Sequence, residues 1–185
     1  MEYKWYDDVP PKSPIEQGDI IENCNIIIPN EQHYQAILES EKNENAEPLD
    51  VIDINCIVLS QSCDIQNDNI DSIIICPIQS LKIFMEKGDY FKSSKAREEL
   101  RQGKFPEYHL LQKFEGQELS NDYYYVDFHH IYSIPKNFIE AVIRDKPHKR
   151  LLPPYREHLA QSFARYFMRV GLPVDIPKDE IKDYR

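Results

Sequence analysis

Glycine is scarce in this sequence, with five in 185 residues. A phosphate-cradling loop needs glycines so that backbone N–H groups can approach the anion, and neither GxxxxGK[ST] nor GxGxxG occurs, which excludes the usual nucleotide-binding chemistries. There is no CxxC pair, no HExxH and no EF-hand loop, so no metal site and no cofactor is expected. No stretch approaches the about 18 consecutive apolar residues of a membrane span. The opening MEYKWYDDVPPKSP lacks a basic segment followed by an apolar one, so the expected setting is the cytoplasm. Arginine is missing from the whole first half, Arg97 being the first.

What is present argues for a compact fold. Hydrophobic residues make up 41% and aromatics 11%, too much apolar material for a disordered chain. The length fits one domain over residues 1–185, with 1–16 as an irregular lead-in and 175–185 as a polar tail. Cys56 and Cys76 sit inside the apolar runs INCIVL and IIICPI and read as small buried hydrophobes in a reducing compartment. The net charge of −10 is unevenly spread: residues 1–80 carry sixteen acids against Lys4, Lys12 and Lys42. From Arg144 to Arg169 seven basic residues face only Asp145 and Glu157. That basic patch either attracts an anion or docks on the acidic half of the same chain or of a second copy.

Along the chain, DIIENCNIII, VIDINCIVLS and IIICPI read as strands from their β-branched content and the turn residues around them. QHYQAILES is a short helix candidate. SLKIFMEKG and SSKAREELRQG read as two helices stopped by Gly88 and Gly103. EYHLLQKF and DYYYVDFHHIYSI follow as strands; in the second, Tyr123, Tyr125 and Asp127 share one face and Tyr124, Val126 and Phe128 the other. The tyrosines fit a half-buried sheet or, less commonly, a base-stacking platform. From Pro154 to Val170 the spacing of Tyr155, Leu159, Phe163, Tyr166, Phe167 and Val170 predicts an amphipathic helix.

Three features are candidates for function. Ser60, Ser62, Cys63 and Asp64 leave the end of the strongest strand, where a scaffold commonly presents side chains on a loop. A nucleophilic Cys63 needs a basic partner, because the neighbouring carboxylate opposes the thiolate; the alternative is a turn in which Ser62 and Asp64 bond the backbone and Cys63 packs inward. His158, Arg165 and Arg169 form a stripe on the C-terminal helix, with Ser162 at its edge, suited to an anion. Arg156 falls within the apolar arc of that helix and needs a carboxylate, or else snorkels out past Tyr155. His129 and His130, adjacent on one strand, point to opposite faces and cannot share a metal, and zinc on Cys63, Cys76 and a distant histidine is the remaining metal arrangement.

GDII at 18–21 followed by the core strand IVLSQSCD at 57–64 resembles the opening of the MazF/PemK-like toxins. The resemblance implies a small SH3-like barrel and, in catalytic members, RNA cleavage aided by a basic residue near the first strand loop. No basic residue lies between Lys12 and Lys42, so it implies the barrel more than the nuclease. LLPPYREHLAQSFARYFMRVGLP, with SQSCD, also resembles bacterial proteins, a likeness that implies no activity. The expected fold is α+β: a small, mostly antiparallel β-barrel with a helical insertion near 79–103 and the C-terminal helix packed on it. The expected function is a non-catalytic binding or regulatory module of a bacterial cytoplasm, with a MazF/PemK-like endoribonuclease or other RNA-binding protein as the alternative. Expected partners are a protein or a second copy, met through acidic and basic surfaces, or RNA. Arg156 is expected to pair with Asp64, an arginine on a buried arc answering a carboxylate at the end of a core strand.

Overall fold

The computed structural model describes residues 3–28, 31, 34, 35 and 50–168. The helix expected in QHYQAILES falls largely outside them, as do Arg169 and the tail 175–185. Strands β1 (Tyr6–Val9), β2 (Asp19–Ile28) and β3 (Asp50–Val58) precede the short helix α1 (Ser62–Gln66). β4 (Ser72–Ser80) leads into α2 (Leu81–Glu86), a 3-10 turn (Asp89–Lys92) and α3 (Ser94–Arg101). β5 (Tyr108–Phe114), β6 (Asp122–Asp127), β7 (Tyr132–Pro135), α4 (Lys136–Ile143), β8 (His148–Leu151) and α5 (Tyr155–Phe167) complete the order.

The strands form one sheet in the order β1-β8-β2-β3-β4-β6-β5, with β7 also paired to β4. Every pairing among them is antiparallel. Alternation along the strands feeds both faces: Ile57 and Cys76 pack with Leu159 of α5, while Cys56, Val58 and Ile75 pack with Ile139 and Ile143 of α4. A third cluster, Phe84, Ala96, Leu100, Tyr108 and Tyr125, lies beneath α2 and α3, so the insertion has its own small core.

The expected barrel is corrected to an open sheet with β1 and β5 as its edges. The Tyr6 side chain bridges those edges. The Tyr6 hydroxyl donates to the Gln112 carbonyl at 2.8 Å and its ring lies 5.0 Å from Phe114. β5 is bulged between Leu111 and Phe114 in its pairing with β6, near the place where Tyr6 meets it.

Two further expectations change. The lead-in is not irregular throughout: Tyr6–Val9 forms β1, and Trp5 stacks on Tyr155 at 3.5 Å. Its acidic residues masked the strand signal, although charge is what an edge strand tolerates. DYYYVDFHHIYSI is two strands, because the Asp127 carboxylate accepts the His129 N–H at 3.0 Å and turns the chain. Tyr125 and Tyr124 are buried on opposite faces, so β6 offers no stacking platform.

A buried ion pair sets the position of β8. Asp19, completely buried, opens β2 opposite Arg150 of β8. The Arg150 guanidinium grips both Asp19 oxygens, donates to the Pro14 carbonyl at 2.8 Å and reaches Glu16 Oε1 at 2.9 Å. Nε2 of His148, also buried, lies 3.2 Å from Asp19 Oδ2, within ion-pair reach but outside hydrogen-bond geometry. Lys149 pairs with Asp8 at 2.6 Å. Three residues of the basic C-terminal segment, Lys149, Arg150 and Arg156, thus pair with acids of the N-terminal half of their own chain.

A bulge between Ile21 and Cys24, with Asn23 at a φ of 52°, turns Glu22 out of β2. Its carboxylate accepts the backbone N–H groups of Gln117, Glu118 and Leu119 at 2.9, 2.7 and 3.1 Å. Gly116 permits the approach, since a Cβ there would stand 2.1 Å from Glu22 Oε1.

Arg150→Ala leaves the Asp19 carboxylate buried without its main partner. The expected loss is about 3–5 kcal/mol in urea unfolding, whereas a loss under about 1 kcal/mol, that of an exposed pair, would refute the anchoring role.

Candidate functional site

Helix α5 divides its surface between core and pocket. Leu159, Phe163 and Tyr166 pack against the sheet, and His158, Ser162 and Arg165, at i, i+4 and i+7, share the neighbouring stripe. On β5, His109 and Leu111 share the face turned toward α5, while Tyr108 faces the α2–α3 core. His109 therefore meets the α5 stripe side-on. The C-terminal end of α3 closes the far wall with Arg101, Gln102 and Gly103.

The result is a pocket of about 150 Å³. His109 Nδ1 lies 3.0 Å from Ser162 Oγ, and the Ser162 hydroxyl lies 2.9 Å from the His158 carbonyl. The His109 and His158 rings meet edge to face at 5.0 Å. Burial, and secondarily the charge on His158, pushes the His109 imidazole down from 6.5 to about 3, so it is neutral near neutral pH. Arg165 and His158 are exposed at the rim, and Arg101 is held by Glu98 through contacts of 2.7 and 2.6 Å. Among the described residues, no aspartate or glutamate lines the pocket.

Of the four residues expected to bind an anion, the fold brings together His158 and Arg165. Arg169 lies outside the described residues. Arg156 stands on the other flank of α5, where its side chain covers Gly18 and pairs with Glu157 at 3.0 Å and Glu16 at 3.8 Å. The expected Arg156–Asp64 pair is thereby corrected: Glu16, held near by the Asp19–Arg150 anchor, takes the arginine instead. His109 carried no signal in the sequence, because nothing in a strand-like YHLL announces a partner 53 positions away.

The Ser60–Asp64 segment is a scaffold joint. Ser60 Oγ accepts the Ile74 N–H at 2.8 Å and Ser62 Oγ accepts the Gln17 N–H at 3.0 Å, fixing β3 to β4 and to the loop before β2. Cys63 does not pack inward. It is exposed on α1, with Gln61 Oε1 3.7 Å from its sulfur, and Ile65 takes the buried place. Asp64 lines a groove of about 430 Å³ between this segment and Ala160, Phe163 and Ala164 of α5, and no basic side chain lines that groove. Among the described residues, this arrangement lacks the base that a nucleophilic cysteine needs.

Asp127 gathers a second polar cluster. His129 Nδ1 lies 2.9 Å and His130 Nδ1 3.6 Å from its carboxylate, and Lys87 Nζ lies 3.7 Å away over the Tyr108 ring. The expectation that the two histidines point apart fails because a turn, not a strand, carries them. Among the described residues no group of three or more His, Cys, Asp or Glu is placed to hold a metal ion, and all four cysteines are free. None of the described helices is long and apolar enough to cross a membrane.

No protein-family model matches the chain, and no curated protein matches it. The class is the one the fold defines: an α+β protein on an open, antiparallel eight-stranded sheet.

Two measurements test this site. Native His109 gives up its proton above about 3, whereas in the unfolded chain it holds the proton up to 6.5, so the unfolded state binds more protons across that window. Its contribution is complete above 6.5 and is lost as pH falls toward 3; His109→Gln should flatten that limb of a urea-stability profile, and an unchanged limb would contradict the burial. Arg156→Ala and Asp64→Asn should be additive within about 0.5 kcal/mol in a double-mutant unfolding cycle, and stronger coupling would restore the rejected pair.

Proposed function

We propose that the protein is a non-catalytic binding module whose ligand is a small anion, or the anionic group of a larger molecule, held between α3, β5 and α5. One observation carries this reading. The chain has a net charge of −10, and its other principal concavities each include aspartate or glutamate, yet among the described residues this pocket is lined by no carboxylate and carries Arg165 at its rim, with Arg101, paired to Glu98, on the far wall. Basic groups in a concave wall concentrate anions from solution.

Chemistry within the pocket supports binding over catalysis. The Ser162 hydroxyl donates to the His158 carbonyl, so its proton is not aimed at a base, and a neutral imidazole pushed down to about 3 is a poor one. The volume suits a single anionic group; cavities for drug-sized ligands start near about 300 Å³. Free cysteines fit a reducing compartment.

A second reading is favoured by Phe105, an aromatic residue that lines the same pocket as the basic groups. Aromatic faces beside cations hold single-stranded nucleic acid, as an RNA-binding protein of the MazF/PemK-like kind would require. RNA affinity that falls steeply with salt, together with cleavage, would favour it, and absence of both would remove it.

Calorimetric titration with inorganic phosphate tests the principal reading. Arg165→Ala should weaken binding at least about tenfold, the value of one lost charge-assisted contact, while leaving unfolding stability unchanged. Equal affinity in the variant and the parent would place any anion elsewhere.

A further inference from the structure

On the reading that this pocket holds an anion, the geometry points to a ligand of one kind: a phosphate group that still carries a P–OH proton, selected over sulfate and over carboxylates. The selecting device is the chain from the His158 carbonyl through Ser162 to His109.

A serine hydroxyl has one proton. Ser162 directs it to the His158 carbonyl at 2.9 Å, one turn earlier on α5. Ser162 Oγ can therefore only accept from His109 Nδ1, 3.0 Å away. This assigns the Nδ1–H tautomer from the hydrogen-bond network. A neutral imidazole with its proton on Nδ1 presents Nε2 as a lone pair. Burial keeps the ring neutral, so the lone pair persists at neutral pH. The pocket wall thus combines a cationic donor, Arg165, with one obligate acceptor, the Nε2 lone pair of His109.

An obligate acceptor discriminates among anions. Sulfate near neutral pH has only lone pairs to offer, and a lone pair set against Nε2 leaves both unsatisfied in a partly desolvated site. A phosphate P–OH donates to Nε2 while its charged oxygens take the cation. A carboxylate, fully ionised at this pH, fails for the same reason as sulfate. The pocket, about 150 Å³, has room for a tetrahedral anion.

The test compares inorganic phosphate with sodium sulfate by calorimetry, at one pH near neutral and one ionic strength. Phosphate should bind at least about tenfold more tightly, the cost of one unmade buried hydrogen bond. Ser162→Ala removes the acceptor that fixes the tautomer and lets Nε2 carry the proton, so sulfate affinity should rise and the ratio should collapse toward one. Equal affinity of the parent protein for both anions overturns the selectivity and leaves the anion pocket standing, whereas binding of neither overturns both. A ratio unchanged in Ser162→Ala also refutes the relay. Should that variant not fold, ¹⁵N NMR of the histidine rings in the phosphate-bound parent protein decides: a proton on Nδ1 of His109 supports the proposal, and a proton on Nε2 rejects it.

Discussion

The ion pair between Asp19 and Arg150 is the constraint on which the remaining structure depends. A carboxylate with no exposure to water must be answered, and the acidic first half of the chain holds no arginine with which to do so. The answer arrives 131 positions later, inserting β8 between β1 and β2. That insertion fixes where α5 begins, since Leu151 donates its N–H to the Gly18 carbonyl and Leu152 donates to Trp5. With α5 placed, its polar stripe meets β5 and the pocket exists. Replacing the pair by apolar residues of similar shape need not cost stability, because buried ion pairs rarely outperform good packing; what the pair contributes is a single position for a four-residue strand with little apolar area of its own.

The pocket inherits its chemistry from burial more than from charge count. His109 is neutral because β5 places it under α5, and the exposed members of the stripe stay in water. A buried neutral imidazole bracketed by a serine is a directional hydrogen-bonding group, while an exposed arginine is a source of field. The two roles require different depths, and the crossing of one strand under one helix supplies both.

Much of the architecture was legible in the sequence where its signal was local. The β-branched content of DIIENCNIII with its closing turn residues, the initial alternation of VIDINCIVLS, and the 3.6-residue period of α5 located β2, β3 and α5 within a few residues. β1 was illegible, because Tyr-Asp-Asp-Val carries no apolar alternation and becomes a strand only when β8 lies beside it. The break after β6 depended on one side-chain-to-backbone contact at Asp127. Of the site, the stripe His158–Ser162–Arg165 was legible as a helical spacing. His109 was not, since its role arises from a crossing of elements that no periodicity encodes. Arg156 was rightly seen to need a carboxylate, but the choice among sixteen acids in residues 1–80 is tertiary information.

Helix α5 carries two sets of residues interleaved along one rod, Leu159, Phe163 and Tyr166 inward and His158, Ser162 and Arg165 toward the pocket. Neither set does the work of the other. Sequence change at the second set can therefore proceed without repair in the first, and a helix so divided gives a lineage freedom to exchange one ligand for another on an unaltered frame. His109, committed to the interior, has no such latitude, and drift in specificity would be recorded first at the rim.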